Sequence, residues 1–429
     1  MSGTKLALFG GPPAITRTFA PYRSIGTEEA EAAQRVLAGG ELSRFLGTWH
    51  EDFFGGPEIR RFEAAWAADF KVPHAISVNS NTSGLIAAVG AIGIEPGDEV
   101  IVSPWTMSAT ATAILQWNAI PVFADIEAET FNLDPVSIER CITPLTQAIL
   151  VTDLFGQAAK LDEIMALARR HGLKVIEDAA QAPGALYKGR RVGTLADIGV
   201  YSLNYHKHIH TGEGGVCVTH DDHLAERMQL LRNHAEAVVG GKGVEDISNM
   251  LGFNFRMTEI EAAIGGEQLK KLSRQISQRQ RIAERLSEGL RGLEGLILPT
   301  VMAECSHVYY VYALRLELQR LSLSRQKLLE ALKAEGVPAL GGGYTNIHLL
   351  PLYQRKIAYG KRGFPWSASF YQGKVSYERG ICPVAETLHE SSAMGLQICV
   401  YQYPDEDVDE VIGAFHKVWE HLDELRTGP

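Results

Sequence analysis

Short apolar runs alternate with helical patterns along the first half of the chain. From about residue 74, near-continuous apolar runs predict buried strands, and the stretches between them have the spacing of amphipathic helices. The predicted strands cover residues 75–78, 99–102, 120–125, 147–154 and 173–178. The predicted helices cover residues 27–37, 58–69, 84–92, 109–117, 135–141 and 161–171. This alternation is typical of an α/β fold in which helices cover both faces of a mostly parallel sheet.

The last third of the chain has a different pattern. Residues 258 to about 293 form a long helical stretch rich in Glu, Gln, Lys and Arg, which we interpret as a connector. Beyond it, alternating apolar positions predict a strand over residues 308–316, and helices are predicted over residues 324–335 and 408–425. We therefore expect two domains. Residues 1–290 form a large α/β domain with an N-terminal helical segment, and residues 291–429 form a smaller α+β domain.

Composition narrows the class of protein. The chain has 429 residues, of which 45% are hydrophobic and 21% charged, and a formal net charge of −10. This acidic balance argues against a general nucleic-acid binder but allows a local anion site. No apolar run approaches the ~18 residues of a membrane-spanning helix, and the apolar run before Pro12 is too short for a signal peptide. Five widely spaced cysteines without a CxxC pair predict buried reduced thiols and a cytoplasmic protein.

The order of strands and helices predicts where a ligand binds. In open parallel sheets, ligands lie at the carboxyl ends of the strands. This rule points to five places in the chain: Asn81–Thr82, Trp105, Asp153, Asp178 and the glycine-rich segment Ser202–Gly215. We expect the functional site among them.

The most informative segment is Ser202–Gly215, where one lysine lies among three histidines, several glycines and one glutamate. In one interpretation, Lys207 is a nucleophile with a lowered pKa that forms a Schiff base with an aldehyde cofactor. In a second, the segment is extended, and His206, His208 and His210 share one face and bind zinc. In a third, the segment is a structural turn with merely polar histidines. Spacing alone leaves all three open.

Residues elsewhere favour the first interpretation, because an aldehyde cofactor also needs an acid, an aromatic face and phosphate donors. Asp178 ends a predicted strand, where its carboxylate can pair with a pyridine nitrogen or cap a helix. Trp105 can stack on a flat ring or serve as a core aromatic. Asn81, Thr82 and Ser83 lie at a predicted helix start, where they can bind a phosphate or form an ordinary cap.

A series of segments, in this order, resembles the pyridoxal-phosphate sugar aminotransferases of the DegT/DnrJ/StrS type. The segments are Ser80–Leu85, Pro96–Val102, Trp105–Ala111, Phe155–Gln157, Val175–Gln181, Ser202–Gly215, Leu251–Met257, Glu261–Ala263 and Gln268–Leu269. The resemblance runs from about residue 25 to the C-terminus. Several segments in the right order make it specific, although no single one decides it.

The resemblance implies a fold type I pyridoxal-phosphate-dependent transferase, similar to aspartate aminotransferase. It implies that Lys207, six residues before Glu213, is the Schiff-base lysine. It also implies that Asp178 pairs with the pyridine nitrogen of pyridoxal 5'-phosphate and that Gln181 lies near the ring hydroxyl. Trp105 aligns with the family's ring-stacking aromatic residue.

The resemblance extends to the phosphate and to a second subunit. Asn81, Thr82 and Ser202 align with phosphate donors. Asn254 aligns with an asparagine that reaches the phosphate across a dimer interface, so a homodimer with shared active sites is expected.

The implied reaction is amino transfer from Glu or Gln to a keto-sugar, either nucleotide-linked or a related polyhydroxy ketone. Tyr344 and His348 align with a substrate-side tyrosine and histidine. Some relatives have histidine at the lysine position and dehydrate instead, but counting back from Glu213 places Lys207 there, which favours transamination. A pyridoxal-phosphate sugar dehydratase, a non-catalytic regulatory member of the family and a histidine-cluster zinc enzyme are the alternatives.

Three segments depart from the family pattern. The turn Ser80–Thr82 has Ser-Asn-Thr where Asn-Gly-Thr is usual, so the backbone approach to the phosphate is expected to differ. Residues 42–56 form a longer loop, which either brings Trp49, His50 and Phe54 to the substrate or packs a dimer. Residues 353–379 contain six Lys and Arg residues, which either neutralise an anionic group on the substrate or lie in a solvated loop.

Overall fold

A seven-stranded sheet dominates the fold in a computed structural model, which describes residues 5–427. The strands are β1 His74–Val78, β2 Glu99–Val102, β3 Ile120–Phe123, β4 Thr146–Thr152, β5 Lys174–Asp178, β6 Leu186–Tyr187, β7 Arg190–Arg191, β8 Ile198–Ser202, β9 Gly215–Thr219, β10 Leu296–Ile297, β11 Tyr312–Leu316, β12 Leu340–Gly341 and β13 Ala393–Leu396. The large sheet has the order β1-β9-β8-β5-β4-β2-β3. Only β9 runs antiparallel to its neighbours β1 and β8, which confirms the prediction of a mostly parallel sheet.

Helices cover both faces of this sheet. They are α1 Thr27–Gly39, α2 Pro57–Phe70, α3 Asn81–Ala91, α4 Ala109–Leu115, α5 Pro135–Cys141, α6 Leu161–His171, α7 Asp222–Arg232, α8 Ala235–Lys242, α9 Glu259–Leu290, α10 Leu318–Leu321, α11 Arg325–Ala334, α12 Pro351–Gln354, α13 Pro383–Thr387, α14 Asp405–Glu420 and α15 Leu422–Thr427. On one face, Leu85, Ile114 and Met228 join a single apolar cluster. On the other, Phe62 and Leu272 belong to a second cluster, so the sheet is buried on both faces as its apolar strands require.

A second, four-stranded sheet has the order β10-β11-β13-β12 and is antiparallel throughout. Helix α9 has 32 residues and is therefore about 48 Å long. Its Leu272 packs in the core of the large sheet, whereas Leu286 and Leu290 pack in the core of the small one. Leu6 and Phe19 from the N-terminus also pack there. The connector interpretation of this helix agrees with its packing, and the domain boundary near residue 290 stays a prediction.

Two C-terminal elements differ from the sequence prediction. The strand expected over residues 308–316 begins only at Tyr312, because Tyr309 has a φ of 51° and Tyr310 donates its N–H to Phe155 O outside the sheet. The helix expected over residues 408–425 is split into α14 and α15, since the N–H of His421 bonds to Val418 three residues earlier and ends the regular ladder.

Five cysteines are unpaired thiols. Cys217, Cys382 and Cys399 are buried as predicted, but Cys141 and Cys305 are only half-buried, so the prediction of five buried thiols was wrong for these two. Between residues 5 and 427, no helix is both long and apolar enough to cross a membrane.

The N-terminus of α9 offers a test of local stability. Thr258 accepts a hydrogen bond from the N–H of Glu261, whose carboxylate in turn bonds to the Thr258 N–H, forming a capping box. We expect Thr258→Ala to lower the free energy of unfolding by about 1 kcal/mol, measured by urea denaturation. Ser108 precedes α4 without a side-chain cap bond, so Ser108→Ala is the matched control. An equal loss in both variants would contradict the capping role.

Candidate active site

A cavity of about 200 Å³ lies at the carboxyl ends of β5 and β8 and beside the start of α3. We call it the lysine cavity. Seven of the ten residues singled out from the sequence line it: Asn81, Thr82, Asp178, Gln181, Ser202, Lys207 and Tyr344. Trp105, Asn254 and His348 do not. The position of the cavity follows from the sheet, because parallel strands bring their carboxyl ends to one edge.

Lys207 is the only lysine among the described residues that line the cavity. It lies in the irregular segment between β8 and β9 and is only 6% exposed. Its Nζ is 4.1 Å from the centre of the Tyr310 ring. Burial lowers the pKa of Lys207 to about 8, although the nearby Asp178 and Cys399 partly oppose this shift. A lysine with such a pKa supplies a neutral amine near physiological pH.

This lowered pKa predicts how capture of an aldehyde depends on pH. Only the neutral amine attacks, and with a pKa of about 8 about a tenth of the molecules carry it at pH 7. We expect the rate at which the apoprotein binds pyridoxal phosphate covalently to rise with pH and to level off above about pH 8 to 9. Stopped-flow absorbance between pH 6 and 10 measures it. A rate that climbs steadily to pH 10 would show an ordinary lysine.

Asp178 ends β5 and is 3% exposed. Its Oδ2 accepts a hydrogen bond from Thr110 Oγ1 at 3.0 Å, and its Oδ1 accepts from the N–H of Ala180 at 3.2 Å and from Asn81 Nδ2 at 3.4 Å. Burial raises the pKa of Asp178, whereas these three donors and Lys207 lower it. The carboxylate therefore has a fixed orientation and would gain from a cationic partner inside the cavity. No helix begins at Asp178, which removes the alternative of a helix cap.

Gln181 and Tyr344 form a hydrogen-bonded pair on the cavity wall. Gln181 Nε2 donates to the Tyr344 hydroxyl at 3.1 Å, and Gln181 Oε1 accepts from the N–H of Phe155 at 2.9 Å. Burial raises the pKa of Tyr344 to about 12, so its hydroxyl stays protonated. The pair thus presents neutral hydrogen-bonding groups to the cavity.

The N-terminus of α3 forms the opposite wall. Ser80 is its N-cap and accepts from the N–H of Ser83 at 3.1 Å, so Asn81 and Thr82 are the first two helical residues. Their N–H groups precede the first intrahelical bonds, and a helix N-terminus attracts an anion. Gly215 runs close beside this turn, since a Cβ on it would lie 2.9 Å from Asn81 N. Only glycine permits this approach without a backbone shift.

Unpaired atoms show what kind of group the cavity fits. Asn81 Oδ1, Thr106 Oγ1 and Asn204 Oδ1 are buried without a hydrogen-bond partner in the described part of the chain, and all three residues line the cavity. Leaving such atoms unpaired costs about 1–3 kcal/mol each. A helix N-terminus for an anion, an oriented carboxylate for a ring cation and a buried amine for an aldehyde together match pyridoxal phosphate.

The zinc interpretation was wrong. The segment from Leu203 to Gly214 is irregular and not extended, so the three histidines point to different surroundings. His206 lines the lysine cavity, His208 bonds through Nε2 to Val308 O at 2.7 Å, and His210 Nδ1 accepts from the Gly212 N–H. No cluster of three metal-binding side chains occurs within residues 5–427.

Trp105 is not on the wall of the lysine cavity, which corrects its assignment as the ring-stacking residue. It is fully buried, its Nε1 donates to Tyr344 O, and it lines a neighbouring cavity. Met107, two residues later, lines the lysine cavity and is 56% exposed. Both residues lie in the loop between β2 and α4, where no regular repeat decides which side chain points inward.

His348 is also placed differently from the prediction. It is fully buried, its Nε2 bonds to Glu386 Oε1 at 3.0 Å, and it lines neither cavity. Asn254 is exposed, and its Oδ1 accepts from Arg256 Nε at 2.8 Å. It does not reach the lysine cavity of its own chain.

The two unusual loops stay away from both cavities within one chain. Trp49 and Phe54 pack against each other at 5.7 Å, and Trp49 contacts Lys242. In the segment 353–379, Lys356 donates to Val375 O and Arg379 pairs with Glu390. The basic residues there are Arg355, Lys356, Lys361, Arg362, Lys374 and Arg379, and none lines a cavity.

Sequence reasoning missed several residues at the site. Thr110 holds the carboxylate of Asp178, Tyr310 lies against Lys207, and Asn204 and Glu213 line the cavity and bond to each other at 2.9 Å. Thr110 and Asn204 fall within segments already singled out, so their position after strands was the available signal. Tyr310 had none, because it comes from a distant part of the chain.

Comparisons with known proteins agree with this geometry. Residues 41–393 match the model of the DegT/DnrJ/EryC1/StrS aminotransferase family. L-glutamine:2-deoxy-scyllo-inosose aminotransferase of Streptomyces lividus is 33% identical over 434 residues, covering 97% of this chain and 98% of that protein. GDP-perosamine synthase of Caulobacter vibrioides is 39% identical over 303 residues, covering 70% of this chain and 79% of that protein. An aminotransferase structure from Psychrobacter cryohalolentis matches with a TM-score of 0.79 and 29% identity, covering 95% of this chain and 100% of that one. The chain therefore belongs to the DegT/DnrJ/EryC1/StrS aminotransferase family.

Proposed function

We propose that the protein transfers an amino group from Glu or Gln to a keto-sugar or related polyhydroxy ketone. As a member of its family it uses pyridoxal 5'-phosphate. The observation that carries the proposal is the meeting of Lys207, Asp178 and the N-terminus of α3 in one cavity. The named relatives act on an inosose with L-glutamine and make GDP-perosamine, which supports a ring ketone as acceptor.

The cofactor would be held by three groups of this chain. Asn81, Thr82 and Ser202 bind its phosphate through N–H and hydroxyl groups at the start of α3 and the end of β8. Asp178 would stabilise the protonated ring nitrogen, and Gln181 would bond to the ring hydroxyl. Bound pyridoxal phosphate supplies an electron sink for the carbon that loses its proton.

Lys207 has two tasks in this proposal. Its amine would hold the cofactor in the resting protein, and its Nζ would take up and return a proton as general acid and base during turnover. A pKa of about 8 suits both tasks, because the group gains and loses a proton readily near neutral pH. Glu213 and the Tyr344 hydroxyl line the same cavity and complete its polar wall.

The proposed reaction is tested by separating its two halves. Protein loaded with pyridoxal phosphate is mixed with L-glutamine or L-glutamate, and the cofactor spectrum is followed. Transamination predicts a spectral change with the donor alone, which a ring ketone then reverses while an amine product appears by mass spectrometry. A sugar dehydratase would consume the ketose without a donor. A non-catalytic family member would give no change with either donor.

We also propose a homodimer with shared active sites. The apolar side chains of Leu42, Leu46, Trp49 and Leu251 are exposed, and Asn254 is exposed close to Leu251 in sequence. A second copy of this chain would cover such a face. This accounts for loop 42–56 as a packing loop and lets Asn254 reach the partner's phosphate.

Mixed dimers test the sharing of sites. Asn254→Ala and Lys207→Ala subunits are each expected to be weakly active or inactive alone. Refolded together, they form dimers in which one site keeps both native residues, so activity returns to about a quarter of wild type by random pairing. If mixing restores nothing beyond either parent, the sites are not shared.

Two broader expectations are kept as part of the proposal. We place the boundary between the two domains near residue 290, within the reach of α9, which packs on both sheets. A cytoplasmic location rests on the five unpaired cysteines, which are typical of a reducing compartment.

A further inference from the structure

A second cavity of about 180 Å³ adjoins the lysine cavity. Its walls include Trp105, Phe131, Phe155, Tyr310 and Tyr344, and we call it the aromatic cavity. Tyr344 lines both cavities, and Lys207 Nζ lies 4.1 Å from the Tyr310 ring centre. A molecule in the aromatic cavity therefore reaches the edge of the site at which Lys207 acts.

The aromatic rings surround the space from several directions. The rings of Trp105 and Phe131 lie 5.6 Å apart, those of Phe131 and Phe155 lie 5.3 Å apart, and Phe155 stacks on Tyr344 at 6.2 Å. Gly343 completes the wall. It packs closely on Trp105, since a Cβ added to Gly343 would lie 2.5 Å from the Trp105 ring. The rings therefore present both edges and faces to an occupant.

Backbone strain marks the same cavity. Phe131 has a φ of 62° and Phe155 a φ of 60°, a region that bulky residues rarely adopt. Such a conformation is unfavourable for a bulky side chain and occurs most often at active sites and ligand-binding sites. Here both strained residues are phenylalanines of one cavity, which indicates that the direction of their rings matters more than local stability.

The cavity wall carries no charged side chain among the residues that the structure describes. Arg325 lies behind it, but its guanidinium donates to the carbonyls of Gly342, Leu388 and Ala393. A phosphate or carboxylate would enter the cavity without a cationic partner, at a large desolvation cost. The amino donor carries a carboxylate, so the cavity suits the acceptor better than the donor.

The polar groups suit hydroxyls. Tyr310 and Gln397 add a hydroxyl and an amide to the otherwise apolar wall, and the Tyr344 hydroxyl, which bonds to Gln181, lies where the two cavities meet. The ring C–H groups of a sugar or cyclitol can lie against the negative faces of aromatic rings, while its hydroxyls bond to such groups. The volume is below the ~300 Å³ at which drug-sized ligands begin, so the cavity itself holds a single ring. A diphosphate attached to that ring would have to leave past a wall that carries no charged side chain in the described part of the chain.

We propose that the aromatic cavity seats the acceptor as a free, uncharged polyhydroxy ring ketone, such as a ketocyclitol, with no phosphate or nucleotide attached. This rests on the proposed amino transfer and adds the class of acceptor. Phe131, Phe155 and Gln397 then become determinants of acceptor specificity. The basic residues of segment 353–379, which line neither cavity, have no part in it.

The test uses the loaded enzyme after it has been charged with L-glutamine. Scyllo-inosose, as a free ketocyclitol, and a nucleotide-linked 4-keto-hexose are each added, and return of the cofactor spectrum gives a half-saturating concentration. We expect the free ring to discharge the enzyme at a concentration at least tenfold lower. Preference for the nucleotide-linked ketose, or no discharge by the free ring, would overturn the inference while leaving the donor half-reaction intact.

Two variants locate the effect. Gln397→Leu removes the exposed amide at the cavity wall, and Gly341→Val adds bulk where a Cβ meets nothing within 4 Å. Each is expected to raise the half-saturating concentration of the free ring at least tenfold and to leave charging by L-glutamine unchanged. Gln319→Leu, at an exposed glutamine outside both cavities, is the matched control. Unchanged acceptor binding in both variants would also overturn the proposal.

A binding measurement without turnover completes the test. Scyllo-inositol is the same ring with the ketone reduced, so it cannot accept an amino group. Saturation-transfer NMR on the loaded enzyme is expected to show its ring C–H protons close to protein aromatic protons, and the signal is expected to fall in Gln397→Leu. If the donor does not charge the wild type, the proposed function itself fails, a result separate from the loss of ring binding.

Discussion

Lys207→Ala is expected to abolish amino transfer, with a loss of roughly 10⁴-fold or more. The side chain both holds the cofactor and moves the proton in our proposal, and no other amine lines the lysine cavity in the described residues. His206 is a poor replacement base, because burial is the main cause that lowers its pKa to about 4 in the wild type, and burial persists when Lys207 is removed. Turnover with L-glutamine and a ring ketone, together with the absorbance of bound cofactor, measures the effect.

The control is a lysine of the surface. Lys174 is exposed and pairs with Asp197 at 3.0 Å, so Lys174→Ala removes an ion pair worth only about 0–1 kcal/mol. We expect this variant to keep near wild-type turnover and the same cofactor spectrum. Substantial turnover in Lys207→Ala, with a wild-type cofactor spectrum, would contradict the role of Lys207 and the proposed reaction with it.

Asp178→Asn is the second change with a large expected effect, a fall in turnover of roughly 10²- to 10³-fold. The amide keeps the shape of the carboxylate but cannot carry the negative charge that stabilises a protonated ring nitrogen. Thr110 and the Ala180 N–H already hold the carboxylate in place, so the change affects charge more than position. Steady-state kinetics and the pH dependence of the cofactor spectrum distinguish lost charge from lost cofactor.

Asp153→Asn is a matched control for this experiment. Asp153 is also a buried acid just after a strand, but it does not line the lysine cavity. Burial and the neighbouring Glu177 raise the pKa of Asp153 well above its ordinary value, which favours the neutral acid. An amide resembles that neutral acid, and we expect turnover within about threefold of wild type. Equal losses in the two variants would indicate a general effect of buried acids on folding.

Asp178 ends β5, a strand that the sequence predicted. Ser202 ends β8, which was not predicted, and the segment Ser202–Gly215 was singled out by its composition instead. The two ends converge because the strands are parallel neighbours in the sheet. The sequence prediction failed for a residue in a loop, because no regular repeat sets the direction of a side chain there. Trp105 and Met107 are two residues apart between β2 and α4, and only packing against Gly343 and Tyr344 turns the tryptophan away.

The zinc alternative and the assignment of His348 failed for a related reason. His206, His208 and His210 would share a face only in an extended segment, and the chain from Leu203 to Gly214 is irregular. His348 has a sequence context like that of a substrate residue, but Glu386 lies 3.0 Å away in the fold and holds it in the core. Residue type and spacing say nothing about partners that come from distant parts of the chain.

The sequence by itself determined the α/β architecture, the approximate positions of the longer helices and a group of residues at the carboxyl edge of the sheet. These follow from local periodicity and from capping chemistry, which act over a few neighbouring residues. Tertiary structure alone decided the pKa of Lys207 and the presence of the aromatic cavity. It also decided that Met107, and not Trp105, lines the lysine cavity. The reason is physical: burial, electrostatic fields and cavity walls depend on residues such as Tyr310 that are far apart in sequence, and no local pattern encodes their meeting.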